Sequence, residues 1–186
     1  YGNGVPFRFP SSPDIGEGLT QAGRALVKAC NARRIAIDLS HINEKGFWDV
    51  AKLSDAPLIA SHSNAHAVCP HARNLTDDQL RAVRDSGGIA GLNFATCFLR
   101  PDGQRQTDTE LEVMLSHLDH MIEVMGVEHV GLGSDFDGAE VPRPIGDCTG
   151  VSNLQAAMRG HGYEDETIRL ISHGNWLRVL ETTWGA

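Results

Sequence analysis

Short apolar runs with strand character alternate with helix-like stretches along the chain, and this alternation constrains the fold more than any other feature. The strand-like runs cover residues 34–40, 57–61, 89–94 and 128–134. Apolar residues recur at helical spacing over residues 19–33, 43–53, 77–86, 107–125, 151–159 and 164–182. No signal typical of a β-hairpin joins two strands. The pattern therefore predicts an α/β fold with a parallel sheet and helical crossovers.

Four parallel strands are compatible with two architectures. They can form a doubly wound open sheet, or they can be half of an eight-stranded (β/α) barrel. In both cases ligands bind at the carboxyl ends of the strands. Residues 1–16, which are rich in Gly, Pro and Ser, are predicted to be irregular, and residues 63–75 are predicted to form a polar loop.

The ends of several helices are also readable in the sequence. Thr76 is a good N-cap for the helix over 77–86, and Thr107 or Thr109 is expected to cap the helix that runs to about Met125. Gly126 is expected to end that helix.

Length and composition exclude several classes of protein. The 186 residues are enough for one domain with a buried core. A formal net charge of −8 without a basic stripe argues against non-specific nucleic-acid binding. No apolar run approaches the roughly 20 residues that cross a bilayer, so no membrane segment is predicted and a cytoplasmic location is expected. The four cysteines include no Cys-x-x-Cys pair, so free thiols are predicted.

Three of the strand-like runs end in a histidine or an aspartate. His41 and His62 follow the first two runs, and Asp135 follows the last. Neutral imidazole is a common zinc ligand, and a carboxylate at a rigid strand end can bind a metal or transfer a proton. A histidine satisfied by backbone groups is the alternative for either ring. Asp137, in the same glycine-rich turn, is interpreted as a turn or capping residue. The pattern predicts one polar site at one rim of the sheet.

The other candidate residues permit competing interpretations. Arg73, in the polar loop, can clamp a substrate carboxylate or form a surface salt bridge. His117 and His120 are three apart on a helix, and hydrogen bonding on the helix surface or between helices is favoured over metal binding. The remaining histidines are interpreted as solvent-facing or structural; they are His66, His71, His129, His161 and His173. No serine elbow, cysteine–histidine pair or phosphate-binding loop is present.

Several motifs in one order resemble the membrane (renal) dipeptidase family, a zinc-dependent branch of the amidohydrolase-like barrels. They are Ile37-Asp-Leu-Ser-His41, Pro57-Leu-Ile-Ala-Ser-His-Ser63, Arg73-Asn74, His117-Leu-Asp-His120, Val130-Gly-Leu-Gly-Ser-Asp-Phe-Asp-Gly138 and Ser172-His-Gly-Asn-Trp-Leu-Arg-Val-Leu180. The resemblance extends over essentially the whole chain. It implies a (β/α)8 TIM-type barrel that holds two Zn2+ ions bridged by a hydroxide and a carboxylate, with the hydroxide attacking the peptide carbonyl of a dipeptide.

The resemblance also implies a role for each candidate residue. His41 and His62 correspond to the two histidine ligands of one zinc ion. Asp135 corresponds to the residue that takes a proton from the bridging water and passes it to the leaving amine. Arg73 corresponds to the residue that binds the terminal carboxylate of the dipeptide. Phe98 stands where some relatives place a tyrosine in the substrate pocket.

The resemblance is to the C-terminal half of that barrel only. The family's His-x-Asp pair, its bridging glutamate and a further histidine are not found in this chain, which begins with Tyr1 rather than Met. We therefore expect residues 1–186 to be the C-terminal half of a metallodipeptidase barrel, with the N-terminal half as a separate or upstream partner, and the isolated half to be inactive. A non-catalytic binding homologue and an amidohydrolase acting on a cyclic amide or lactone are the alternatives. The sequence leaves open whether a homodimer forms.

Overall fold

A parallel sheet lies at the centre of the computed structural model, which describes residues 17–185. The strands are β1 (Ile59–Ala60), β2 (Ile89–Asn93) and β3 (Val130–Gly133), paired in the order β1-β2-β3. Ala90 of β2 pairs with Ala60 on one side and with Val130 on the other. The predicted α/β fold with a parallel sheet is therefore confirmed. The predicted irregular segment at residues 1–16 lies outside the described residues.

Helices precede, connect and follow the strands. Within residues 17–185 the α-helices are α1 (Gln21–Ala32), α2 (Glu44–Leu53), α3 (Asp77–Asp85), α4 (Thr96–Leu99), α5 (Leu111–Met125), α6 (Val151–His161), α7 (Asp165–Arg169) and α8 (Asn175–Trp184). A π-helical stretch at Leu170–Gly174 joins α7 to α8, so the predicted helix over 164–182 is continuous but has one wide turn. Short 3-10 helices occupy Val127–His129 and Cys148–Gly150.

The first predicted strand, over residues 34–40, is wrong. Asp38 makes a single parallel bridge to Ile59, and the Leu39 N–H donates to the Ile59 carbonyl at 2.8 Å. The Ser61 N–H then donates to the Asp38 side chain at 2.9 Å instead of to a backbone carbonyl. The ladder cannot extend past that point because a side chain has taken the donor that the next rung needs.

Local capping chemistry accounts for most of the helix ends. Thr76 is the N-cap of α3, as predicted, and it forms a capping box with Gln79. Gly126 ends α5 with a φ of 82°, also as predicted. The predicted Thr cap of α5 is wrong, because the helix begins only after Glu110. The Thr109 hydroxyl donates to the Gln106 carbonyl, so it stabilises the preceding turn.

The core lies between the sheet and helices α3 and α5. All five residues of β2 are buried, which is typical of a parallel strand covered on both faces. At β3, side chains of α8 provide donors to the strand: Asn175 donates to the Val130 carbonyl at 2.8 Å and Trp176 to the Leu132 carbonyl at 3.0 Å.

The four cysteines are free thiols. Among residues 17–185, no helix combines the length and apolar character needed to cross a bilayer.

Candidate metal centre

His41 and His62 lie together where the bridge at Asp38 and strand β1 end. Their Nε2 atoms face each other at 2.9 Å, and their ring centroids are 4.9 Å apart with the planes inclined at 59°. The Asp38–Ile59 bridge sets two chain segments side by side, and the turns that follow this bridge and β1 bring the two rings together. The sequence pattern thus placed these two histidines at one rim, and the structure shows them in direct contact.

Both rings are held in an environment that favours the neutral imidazole. Burial lowers the pKa of His41 from 6.5 to about 4, and the Arg73 guanidinium and His62 act in the same direction. Burial also lowers the pKa of His62, although the nearby carboxylates of Asp38 and Asp135 oppose the change. Neutral imidazole is the form that binds metal ions, so the protonation states match those of ligands.

The other ring nitrogen of His62 is also engaged. Nδ1 lies 2.6 Å from the Ser61 hydroxyl, which in turn contacts the Asp38 carboxylate. Burial would raise the pKa of Asp38, but hydrogen bonds from Ser61 and Ser40 outweigh it and hold that pKa below its ordinary value. Hydroxyl and carboxylate partners of this kind orient metal-binding histidines in many proteins.

Asp135 follows β3 in a strained backbone conformation. Its φ of 57° lies in the left-handed region, which is uncommon for residues other than glycine and often occurs at functional sites. Asn93, the last residue of β2, donates to Asp135 Oδ2 at 3.1 Å. A side chain at Gly138 would collide with the Asp135 carboxylate and would have to displace it, so glycine there leaves this carboxylate in place. Asp137 is exposed in the same turn.

Arg73 is a buried cation with incomplete hydrogen bonding. Its side chain packs at 5.1 Å from the centroid of the Phe98 ring, and Nε donates to the Ser40 carbonyl at 2.7 Å. The residue is only 4% exposed, and its Nη2 has no hydrogen-bond partner among the described residues. Burial lowers the pKa of Arg73, while the carboxylates of Asp135 and Asp38 oppose this change. A buried donor of this kind can be satisfied by water, by an ion or by a ligand.

A cavity of about 560 Å³ lies beside three of these residues. His41, Arg73 and Asp135 contribute to its wall, and its volume lies within the range of small-molecule sites. The remaining lining residues are His71, Ala95, Thr96, Cys97, Phe98, Gly103, Arg105, Gly138, Ala139 and Glu140. Sequence reasoning missed most of this wall, including His71, whose ring lies 4.6 Å from that of Phe98.

Asn93 is the clearest omission from the predicted site. It is a polar residue at the end of a predicted strand, which is the same signal that identified His62 and Asp135. The structure shows it fully buried, donating to Asp135 and to the His62 carbonyl.

The second histidine pair of the sequence lies outside the cavity. His117 is fully buried, with Nε2 at 2.9 Å from the Leu99 carbonyl and Nδ1 accepting from the Ala65 N–H at 3.2 Å. His120 Nε2 lies 2.7 Å from Asp77 Oδ1, which links α5 to α3. Both rings are thus engaged in hydrogen bonds within the fold.

The donor set of the rim fits part of a zinc site. Two nitrogen ligands of one tetrahedral zinc ion are roughly 3.3 Å apart, close to the 2.9 Å between the two Nε2 atoms. Zinc takes at least three protein ligands in most sites. No group of three or more His, Cys, Asp or Glu residues that could hold a metal ion occurs within residues 17–185.

Comparison with known proteins identifies the family. The model of the membrane dipeptidase family, peptidase family M19, matches residues 8–184. The chain belongs to the membrane dipeptidase family. An uncharacterized protein in the pqqA 5′ region of Klebsiella pneumoniae is 52% identical over 184 residues, which cover 99% of this chain and 68% of that protein.

Two solved structures of membrane dipeptidase relatives have nearly the same fold. A crystal structure of a metallopeptidase, dipeptidase AC, is 62% identical and superposes with a TM-score of 0.93, over 98% of this chain and 54% of its own. A metallopeptidase from Rhodobacter sphaeroides, bound to a phosphinate mimic of the dipeptide L-Ala-D-Ala, is also 62% identical with a TM-score of 0.92. The match covers 97% of this chain and 52% of the Rhodobacter sphaeroides chain. The chain thus spans about half the length of these solved relatives.

Proposed function

We propose that this chain is the C-terminal half of a (β/α)8 barrel and supplies part of the zinc site of a dipeptidase. The parallel sheet supports this proposal, as does the chain's coverage of about half of the solved relatives. His62 and Asp135 follow the carboxyl ends of β1 and β3, the end at which such barrels bind their substrates, and the Asp38–Ile59 bridge places His41 beside His62. Two zinc ions are expected, with further ligands from outside the described residues.

The observation that carries the proposal is the contact between His41 and His62. Two neutral imidazoles with facing Nε2 atoms, one of which lines a cavity, have the arrangement of two ligands to one ion. Zinc bound there would act as a Lewis acid toward a carbonyl oxygen and lower the pKa of water. The protein's own task is then to place the peptide bond and to transfer protons.

Asp135 is suited to the proton transfer. Its carboxylate lines the same cavity as His41, and the hydrogen bond from Asn93 restricts its rotation. A general base must be held within hydrogen-bond reach of the proton that it takes. We assign to Asp135 the removal of a proton from the attacking water and its delivery to the leaving amine.

Arg73 is suited to bind the carboxylate of a dipeptide. A dipeptide has no neighbouring residues for an enzyme to grip, so its charged ends must provide the binding energy. Arg73 lines the cavity, and its Nη2 is a buried cationic donor without a partner among the described residues. This feature favours a free carboxylate over a lactone or cyclic amide, which has no such charge to match. The ligand of the Rhodobacter sphaeroides relative, a mimic of L-Ala-D-Ala, makes dipeptides with a C-terminal D-residue the first substrates to test.

The test compares two substrates with the full-length protein. L-Ala-D-Ala is offered beside its C-terminal amide, which keeps the scissile bond and removes the negative charge. We expect hydrolysis of the dipeptide to be lost on dialysis against a chelator and restored by zinc, and the amide to be a much poorer substrate because of a higher KM. Hydrolysis that persists without metal would contradict the metal assignment. Equal KM values for both compounds would contradict the role of Arg73.

A further inference from the structure

The Asp38 carboxylate accepts an unusual number of hydrogen bonds beside the proposed metal centre. Oδ1 accepts from the Ser40 N–H at 3.1 Å, from the Ser40 hydroxyl at 2.7 Å and from the Ser61 N–H at 2.9 Å. Oδ2 accepts from the Ser61 hydroxyl. Asp38 does not bond His62 directly, since its Oδ2 lies 3.9 Å from Nδ1. The two serines therefore connect this carboxylate to His62.

Counting protons fixes the direction of each hydrogen bond. A carboxylate only accepts, and a serine hydroxyl has a single proton to donate. The Ser61 proton is used on Asp38, so the Ser61 oxygen can only accept from its other neighbour, His62 Nδ1. His62 must then carry its proton on Nδ1. In a neutral ring this leaves Nε2 deprotonated, with its lone pair directed at His41 Nε2.

Ser40 links Asp38 to the backbone of His62 in the same way. Its hydroxyl donates to Asp38 and accepts from the His62 N–H at 2.9 Å. The two hydroxyl oxygens lie 3.3 Å apart, and both direct their protons to the same carboxylate. One carboxylate thereby positions both the main chain and the ring of His62.

We propose that Asp38 and Ser61 are positioning residues that hold His62 in the Nδ1–H tautomer and so keep Nε2 available for a metal ion. The statement on the tautomer stands on the hydrogen bonds alone, whereas its consequence for metal affinity rests on the proposed function. In the metal-free protein, the same proton count makes His62 Nε2 the acceptor and His41 Nε2–H the donor.

The tautomer is measured by ¹⁵N NMR of histidine-labelled, full-length protein after removal of metal, with the His62 signals assigned from their loss in His62→Gln. We expect the wild type to carry the proton on Nδ1. In Asp38→Asn the side-chain amide can donate to Ser61, which frees the Ser61 proton for Nδ1 and moves the ring proton to Nε2. Ser61→Thr keeps the hydroxyl and should retain the Nδ1–H tautomer. A wild-type ring protonated on Nε2 would overturn the proposal.

Zinc affinity, measured by competition with a chelator, provides the second readout. Asp38→Asn and Ser61→Ala should each lower the affinity by about 10- to 100-fold, the usual cost of losing a partner that orients a ligand. Ser61→Thr should stay near wild type. Ser116→Ala is the matched control, because this exposed hydroxyl donates only to the Glu112 carbonyl within α5. Circular dichroism identifies variants that fail to fold. If Asp38→Asn does not fold, the test rests on Ser61→Ala.

The two measurements test the positioning role of Asp38 and Ser61 separately from the proposed function. A wild-type protein that binds no zinc contradicts the proposed metal site, yet its ¹⁵N spectrum still tests the tautomer. If the wild type binds zinc and neither Asp38→Asn nor Ser61→Ala changes the zinc affinity or the tautomer, the positioning role is overturned. The proposed metal site is not contradicted by that result.

Discussion

Two histidine-bearing regions of this molecule look alike in sequence and electrostatics but differ in what their ring nitrogens face. His41, at the strand rim, and His117, on the buried face of α5, both have a pKa lowered to about 4, and burial is the main cause in each case. His117 uses both nitrogens on backbone groups of its own fold. At the rim, the Nε2 atoms of His41 and His62 face each other.

The difference teaches that a depressed histidine pKa does not by itself indicate a site. Burial produces the same change whether the ring is structural or functional. At the rim, Arg73 Nη2 is buried without a partner among the described residues, and Asp135 has a left-handed backbone. An unpaired donor alone does not mark a site either, because Arg178 Nε, far from the cavity, is also buried without a partner among the described residues. In the helix layer, meaning the contact between α3 and α5, His120 and Asp77 pair with each other. A candidate site is therefore identified by several such groups around one cavity, as Arg73 and Asp135 are.

The largest expected effect is that of Asp135→Asn at the rim. The amide keeps the shape of the carboxylate but cannot take a proton, so kcat for a dipeptide should fall about 1,000-fold. Zinc content and thermal stability should stay near wild type. The matched change in the helix layer, Asp77→Asn, should leave kcat within about 2-fold. Steady-state kinetics of the full-length protein checks both, and an undiminished kcat in Asp135→Asn would remove its assigned role.

The acid sensitivity of the fold should depend on His117. Its folded-state pKa lies below the ordinary 6.5, so its contribution to stability is complete above pH 6.5 and is lost as the pH falls toward 4. The loss should reach about 3 kcal/mol in the free energy of unfolding, given 1.36 kcal/mol per pH unit. His117→Gln keeps a donor and an acceptor but does not titrate, so its stability should decline less over this range. Urea unfolding at several pH values compares them, and parallel curves would refute the assignment.

Arg73→Ala should raise KM for dipeptides by about 30-fold, because a charge-assisted hydrogen bond contributes about 2 kcal/mol. Arg178, at the amino ends of β2 and β3, provides a structural arginine for comparison. Arg178 donates to the carbonyls of Gly87, Gly88 and Glu128. Arg178→Ala should therefore lower the thermal midpoint without changing KM. An unchanged KM in Arg73→Ala would show that its free nitrogen does not meet the substrate.

The smallest effect is expected for the His120–Asp77 pair. Their side chains are 22% and 37% exposed, so solvent screens the interaction. His120→Gln should change the free energy of unfolding by less than about 1 kcal/mol and should leave zinc content unaltered. Chemical denaturation measures the first quantity and elemental analysis the second. Loss of zinc in this variant would place a ligand in the helix layer and break the distinction between the two regions.

Local signals in the sequence were sufficient for much of the fold. The N-cap at Thr76 and the helix end at Gly126 depend on neighbouring residues only, and both were predicted correctly. The strand over 34–40 failed because a side chain distant in sequence determines the outcome: Asp38 takes the Ser61 N–H that a longer ladder would need. The cap of α5 failed because Thr109 has a competing carbonyl in its own turn.

Part of the candidate site was also predicted from the sequence. His62 and Asp135 follow the parallel strands β1 and β3, which share a direction, and the Asp38–Ile59 bridge brings His41 to the same rim. The place of His71 in the cavity wall was not predicted, because this residue lies in a loop whose course no periodicity encodes. The orientation of the His62 ring was not predicted either, because it depends on a contact with the Ser61 hydroxyl.

The most direct test of the central claim is a crystal structure of the zinc-loaded, full-length protein with data collected at the zinc absorption edge. The account predicts an anomalous peak about 2.0–2.1 Å from Nε2 of both His41 and His62, with His117 and His120 unliganded. Zinc bound elsewhere, or a map without a peak between these two rings, would contradict it.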